Sequence, residues 1–260
     1  MKKFTLVLAL MLVSVIAFAQ KPVRFGVYVG YLTPMGNMGQ GDEIKTSGVN
    51  AFSGMQNYAL MSESGKQGYA SLGFGVGFDV TVKLPVKGLG IFGGFDFFYN
   101  TTSFYMYDAY DELGKTYVAL NPLCNEYKYT LPNFMNIPIL FGLNYQYDFN
   151  HIVGIFAEAA IGPNFRVISG GEETYKYIGA EDSKYTYSYK SATTLGFKIG
   201  AGVMMWNRMS IVLDYYSLGS AKIEGTFKGP YDGINNTSID FKGKNAISAS
   251  ELVVRVGYHF

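Results

Sequence analysis

In the segment YASLGFGVGFDVTVKL, residues 69–84, every even position from Leu72 to Leu84 is apolar. The odd positions from Ser71 to Lys83 hold only Ser, Gly, Asp, Thr and Lys. A two-residue period marks a strand with two unlike faces. The same grammar returns at 23–33, 89–103, 136–147, 152–165, 193–206, 209–218 and 248–260, so eight strands are expected. A chain built this way must find an environment for eight apolar faces, and that requirement governs everything else.

The connections alternate in length. Pro85–Gly88, Asp148–His151 and Asn207–Arg208 are tight turns. The segments 34–68, 104–133, 167–192 and 219–247 are polar and run to about 25 to 35 residues, longer than a compact soluble domain tolerates. Short turns at one end and long loops at the other are expected of a barrel that crosses a membrane. Residue size decides which face is wet. Eight strands enclose room only for packed side chains, so the glycine-rich face, which also carries sparse charges, belongs inside. The Phe, Val, Ile, Leu and Tyr face would be a very large apolar surface in water and is ordinary in lipid. The expected fold is all-β: an eight-stranded antiparallel transmembrane up-and-down β-barrel with short periplasmic turns and long extracellular loops. The other reading of the alternation, a soluble ligand-holding barrel, turns the apolar face inward.

The N-terminus agrees. Lys2 and Lys3, an apolar run from Phe4 to Phe18, and Ala17-Phe18-Ala19 before Gln20 predict a signal peptide over 1–19 and a barrel domain over 20–260. Cleavage near Ala19 delivers the chain to the cell outer membrane. The cleavage site is not followed by cysteine, so a lipid-anchored start is not expected. Cys124 is the sole cysteine, which excludes an intrachain disulfide and leaves a surface or an inert thiol open. A net charge of +1 offers no field to draw nucleic acid. The last strand, ELVVRVGYHF, runs to Phe260 because it must pair with the first to close the sheet.

Leu252, Val254, Val256, Tyr258 and Phe260 resemble the C-terminal signal read by the barrel-assembly machinery. NIPILFGLNYQY, a short turn and GIFAEAAIGPNF resemble the outer-membrane β-barrel domain family of PorT-like proteins, and more distantly the OmpX and OmpA barrels. The resemblance implies outer-membrane lipid as surroundings, a lumen closed by its own side chains, and a role in membrane structure or surface interaction. Its PorT-like side implies an accessory component of a protein secretion apparatus. A peptidoglycan-binding domain after Phe260 is not expected.

The inward parity carries Arg24, Asp79, Lys83, Asp96, Glu158, Lys198, Asp214, Glu251 and Arg255. Isolated charges at mid-height would be expensive, so one hydrogen-bonded network is expected, with Arg255 on Asp214 and Lys198 on Glu158 or Asp214. Such a network serves as a plug or lines a narrow transport pore; eight strands favour the plug. Pro138 and Pro163 suggest a bulge at the outer rim.

Tyrosines gather in two loops. Tyr105 and Tyr107 extend the outward parity of strand three, and Tyr127, Tyr129 and Leu131 that of strand four. Tyr175 and Tyr177 face Tyr185, Tyr187 and Tyr189 across a turn at Gly179–Ser183. Both hairpins are expected to rise beyond the bilayer, forming an aromatic girdle and a surface for a protein partner. Enzymatic readings find little. His151 and His259 lie at the periplasmic end, and G-x-S-x-G, H-E-x-x-H and Cys/His ligand spacings are absent. Glu172–Glu173 and Glu181–Asp182 read as solvated loop charge, so neither metal nor cofactor is expected.

Overall fold

The computed structural model describes residues 23–39, 70–231 and 234–260. The signal peptide and most of the 34–68 segment lie outside the described residues. In chain order the elements are β1 (Val23–Met35), α1 (Gly36–Gly39), β2 (Ala70–Lys83), β3 (Leu89–Thr102), α2 (Phe104–Leu120), β4 (Cys124–Thr130) and β5 (Phe134–Asp148). There follow β6 (Val153–Ile168), β7 (Gly171–Tyr177), β8 (Ser183–Tyr189), β9 (Ala192–Met205), β10 (Met209–Tyr231) and β11 (Ile234–His259).

The expected eight strands close into a ring. β1 pairs with β2, and the antiparallel order continues β3, β5, β6, β9, β10 and β11, which returns to β1. The terminal strand is therefore paired on both sides, with Tyr258 opposite Val27 and Met209. No edge is left in the ring, as a lipid interior requires.

The faces fall as size predicts. Phe74, Val76 and Phe78 are 56%, 45% and 37% exposed on the outer wall, while Asp79 beside them is 6% exposed in the lumen. A strand of about ten residues at ~3.3 Å rise, tilted about 40°, spans roughly the 25 Å apolar band. Glycines make room inside for large neighbours. A Cβ at Gly200 would lie 1.9 Å from an Asp214 carboxylate oxygen, and one at Gly257 would lie 2.5 Å from the Tyr28 ring.

The tight turns have local causes. Asn150 Oδ1 accepts from the amides of Ile152 and Val153, both at 2.8 Å. Trp206 and Asn207 both take positive φ, 51° and 56°, the left-handed centre of a turn that the Arg208 amide closes by donating to the Met205 carbonyl at 3.0 Å.

Four expectations are corrected. Residues 104–120 do not extend strand three. Met106, Ala109, Tyr110 and Gly114 form a buried stripe at helical spacing, and the segment is α2. β4 does not continue β5, because residues 131–133, which include Pro132, break the strand, and β4 pairs with β7. Most of the 219–247 segment is a hairpin, since β10 and β11 stay paired above the ring with register shifts at Ser217/Ser220 and Lys222/Glu224. Pro138 and Pro163 make no bulge: the β5–β6 register is the same at Pro138↔Asn164 and at Phe141↔Ile161, and only the rungs between are missing. The β7–β8 hairpin forms as expected, but its register does not set tyrosine opposite tyrosine: Tyr175 faces Ser183, Tyr185 faces Glu173 and Tyr187 faces Gly171.

Candidate functional site

The lumen is stratified. At mid-height Arg255 of β11 reaches across the barrel. Its Nε donates to Asp214 of β10, its Nη2 to Glu158 Oε1 at 2.6 Å, and its Nη1 lies 3.5 Å from Asp96 Oδ1. β6 and β3 are each three strands from β11, in opposite directions around the ring, so one guanidinium ties the near wall to both far sides. Lys198 Nζ lies 2.7 Å from Glu158 Oε1, and Tyr216 donates to Asp96 Oδ2 at 2.9 Å. The rings of Tyr28 and Phe92 sit 4.2 Å from Arg255 Cζ and 4.8 Å from Lys198 Nζ. Each cation thus has a carboxylate and an aromatic face, which offsets its removal from water.

Of the nine charges assigned inward from the sequence, these five form one belt. Asp79 is buried beside the Tyr28 hydroxyl. Arg24 is nearer the periplasmic end and donates to Gln146 Oε1 at 2.8 Å, and Lys83 is exposed at the strand end. Glu251 is fully buried higher up, against Asn100.

Above the belt the lumen is apolar rather than polar throughout. Leu32, Phe98, Leu218, Val253 and Met38 of α1 pack together with little or no exposure. A second layer, which sequence reasoning missed, spans the top. Arg166 of β6 donates to the carbonyls of Ile247 and Gly219, both at 3.0 Å, and Asn164 donates to the carbonyl of Leu218 at 3.1 Å. The signal was present: Asn164 and Arg166 continue the inward parity of Glu158, Arg166 just past the assigned strand end at residue 165.

Outside the bilayer, β4, β7, β8 and the upper parts of β10 and β11 form a sheet that packs on α2. It gathers the loop tyrosines into a core more than onto a surface. Tyr175 and Tyr187 are 2% and 6% exposed, whereas Tyr105 and Tyr107 lie exposed on α2. Tyr129 donates to Asp111 at 2.6 Å, and the Tyr117 and Tyr177 hydroxyls are 2.8 Å apart. Tyr185 stacks on Phe227 and Tyr189 meets Phe241 edge-on.

Glu173 is not solvated loop charge. It is buried and accepts hydrogen bonds from Tyr127 at 3.2 Å, Tyr175 at 3.1 Å and Tyr187 at 2.9 Å. Burial raises its pKa, and the three phenols only partly oppose that. Glu172 pairs with Lys184 at 2.8 Å, and Glu181 and Asp182 are exposed in the turn. Cys124 is a buried thiol. His259 is buried in the ring with Nε2 3.0 Å from Ser210 Oγ, and His151 is exposed in a turn. Among the described residues no three His, Cys, Asp or Glu side chains converge to hold a metal ion.

A raised carboxyl pKa in the folded state means that folding favours the protonated form. The contribution is complete below the unfolded value and is lost as pH rises through the folded one. The extracellular sheet is therefore expected to melt at lower temperature as pH rises above the ordinary carboxylate range. Near-UV circular dichroism of its tyrosines reads this, and Glu173→Gln should flatten the dependence. A dependence of the same slope in the variant would assign it elsewhere.

The closed ring, the lipid-fitted wall and the bridged lumen define a class: a small transmembrane antiparallel β-barrel of eight strands with a filled interior. No protein-family model and no curated protein matches this sequence. Solved structures of outer-membrane proteins align over most of its length at low identity. A major outer membrane protein of Thermus thermophilus is 14% identical over 92% of this chain and 99% of its own, with a TM-score of 0.44. OprG of Pseudomonas aeruginosa is 11% identical over 92% and 97%, at 0.41. Ail, the attachment invasion locus protein of Yersinia pestis, is 11% identical over 91% and 98%, at 0.35.

Proposed function

We propose that this chain is a non-catalytic outer-membrane barrel that holds a closed lumen across the bilayer and presents a rigid extracellular sheet to the surroundings. The observation that carries the reading is the Arg255 belt under the apolar layer at Leu32, Phe98 and Leu218: ion pairs and packed rings occupy the cross-section through which a solute would pass. An eight-stranded ring has no spare radius around such contacts. The signal peptide, removed near Ala19, delivers the chain to the periplasm. The outward run Leu252, Val254, Val256, Tyr258 and Phe260 addresses it to the assembly machinery. The exterior task is surface interaction, since the extracellular sheet and α2 are braced well beyond what anchoring requires.

Planar-bilayer recording tests the closed lumen. The purified protein is expected to leave the bilayer silent, and stepwise, ion-selective conductance would replace this reading with a pore. The accessory-secretion alternative, supported by the PorT-like resemblance, requires a stable companion. Purification in mild detergent without one would remove it.

A further inference from the structure

Where α2 meets the β4–β7–β8 sheet there is a pocket whose centre has room for about one water-sized group. Tyr110, Tyr187 and Tyr189 line it, Met106 and Leu131 supply apolar surface, and Glu173 brings a carboxylate. None of its described lining residues is Lys, Arg or His. Glu172, also in the lining, already has Lys184 at 2.8 Å.

Glu173 has acceptor capacity to spare. A carboxylate offers about four lone-pair sites. Tyr127 and Tyr175 use Oε2 and Tyr187 uses Oε1, which leaves one place on Oε1. The three donors are neutral hydroxyls, so they solvate the charge without pairing it, and an unpaired buried charge is expensive. A cation entering the pocket would donate to the open place and meet the faces of the surrounding rings.

We infer that this pocket binds the primary ammonium tip of an extended amine, with Glu173 as its counter-charge. The water-sized centre admits –NH₃⁺ and excludes a quaternary ammonium or a guanidinium. The apolar walls suit the alkyl stem behind the charge. A free alkylamine and a lysine side chain share this chemistry. The inference deepens the surface-interaction reading and rests on it for the exposure of the pocket to the exterior.

The test is titration of the detergent-solubilised protein with n-butylammonium, n-butanol and tetramethylammonium at pH 7.5 and constant ionic strength, followed by tyrosine fluorescence. Saturable binding is expected for butylammonium alone, and Glu173→Gln should weaken it at least tenfold. Equal responses to amine and alcohol, or no saturable response to the amine, would overturn the site. That comparison uses the unsubstituted protein, so it decides even where the Gln variant fails to hold the sheet. A Gly-Gly-Lys-Gly-Gly peptide binding tighter than butylammonium identifies a lysine-bearing partner, and weaker binding identifies a free amine. Binding in detergent but not on intact cells would count against the extracellular placement, leaving the pocket chemistry intact.

Discussion

Replacing Arg255 with Met is expected to cost about 3–5 kcal/mol of barrel stability, the usual penalty for removing one partner of a buried charge network. The substitution takes the guanidinium away from Asp214, Glu158 and Asp96 at once. Of the three, Glu158 retains Lys198, and Asp96 retains the Tyr216 hydroxyl. Asp214 is fully buried and loses its cation, and its neighbour Glu158 remains negative. Arg255→Lys should fall between, because an ammonium keeps the charge but lacks the planar fork that reaches three acceptors. Adding Asp214→Asn to the Met variant should recover part of the loss, since the orphaned charge goes with it. Heat-modifiable gel migration measures all three: the folded band should vanish at a lower temperature in the Met variant than in the parent. A Met variant as heat-resistant as the parent would show that the belt carries no stability.

Much of this arrangement was legible in the sequence, and the reason is geometric. A two-residue period assigns every side chain of a strand to one of two faces, so Glu158, Asp214 and Arg255 could be placed in one lumen without any knowledge of pairing. Strand order then made Arg255–Asp214 a neighbour contact. The reach of Arg255 to Asp96 and Glu158 was not legible, because it depends on the radius of the closed ring. The apolar layer was missed for a related reason. Glycine on the inward parity suggested small residues throughout, whereas those glycines make space for rings such as Tyr28 and Phe98 on neighbouring strands.

Period two misled outside the bilayer. Tyr105 and Tyr107 alternate, yet the positions that bury are Met106, Ala109, Tyr110 and Gly114, which only a helix brings to one side. Glu173 looked like its acidic neighbour Glu172 until the sheet placed three tyrosines from two other strands and its own around it. In the ring, each strand answers to lipid on one side and a crowded lumen on the other. Above the ring that constraint lapses, and tertiary packing decides.

Placing Arg at Val76 is expected to destabilise the barrel in a bilayer by about 2–4 kcal/mol, the range for a cationic side chain at the midplane of a barrel's lipid face. Val76 lies in the outward row with Val29 on β1 and Phe97 on β3, and Val29 in turn faces Val256 on β11. All but Phe97 of these have large exposed surfaces, Val29 the largest at 62%. Lys83, already exposed at the strand end, is the control. Its replacement by Ala should change stability by no more than about 0.5 kcal/mol. Urea-driven unfolding from lipid vesicles, followed through Trp206 in the β9–β10 turn, reads both variants. The size of the Arg penalty separates the two environments an outward valine could have. In water an arginine at an exposed strand position is nearly neutral, because it stays hydrated. In hydrocarbon it must reach for the headgroups or draw water inward, and either response weakens the fold. A Val76→Arg variant as stable as the parent in vesicles would therefore place this wall in water and return the chain to the soluble barrels.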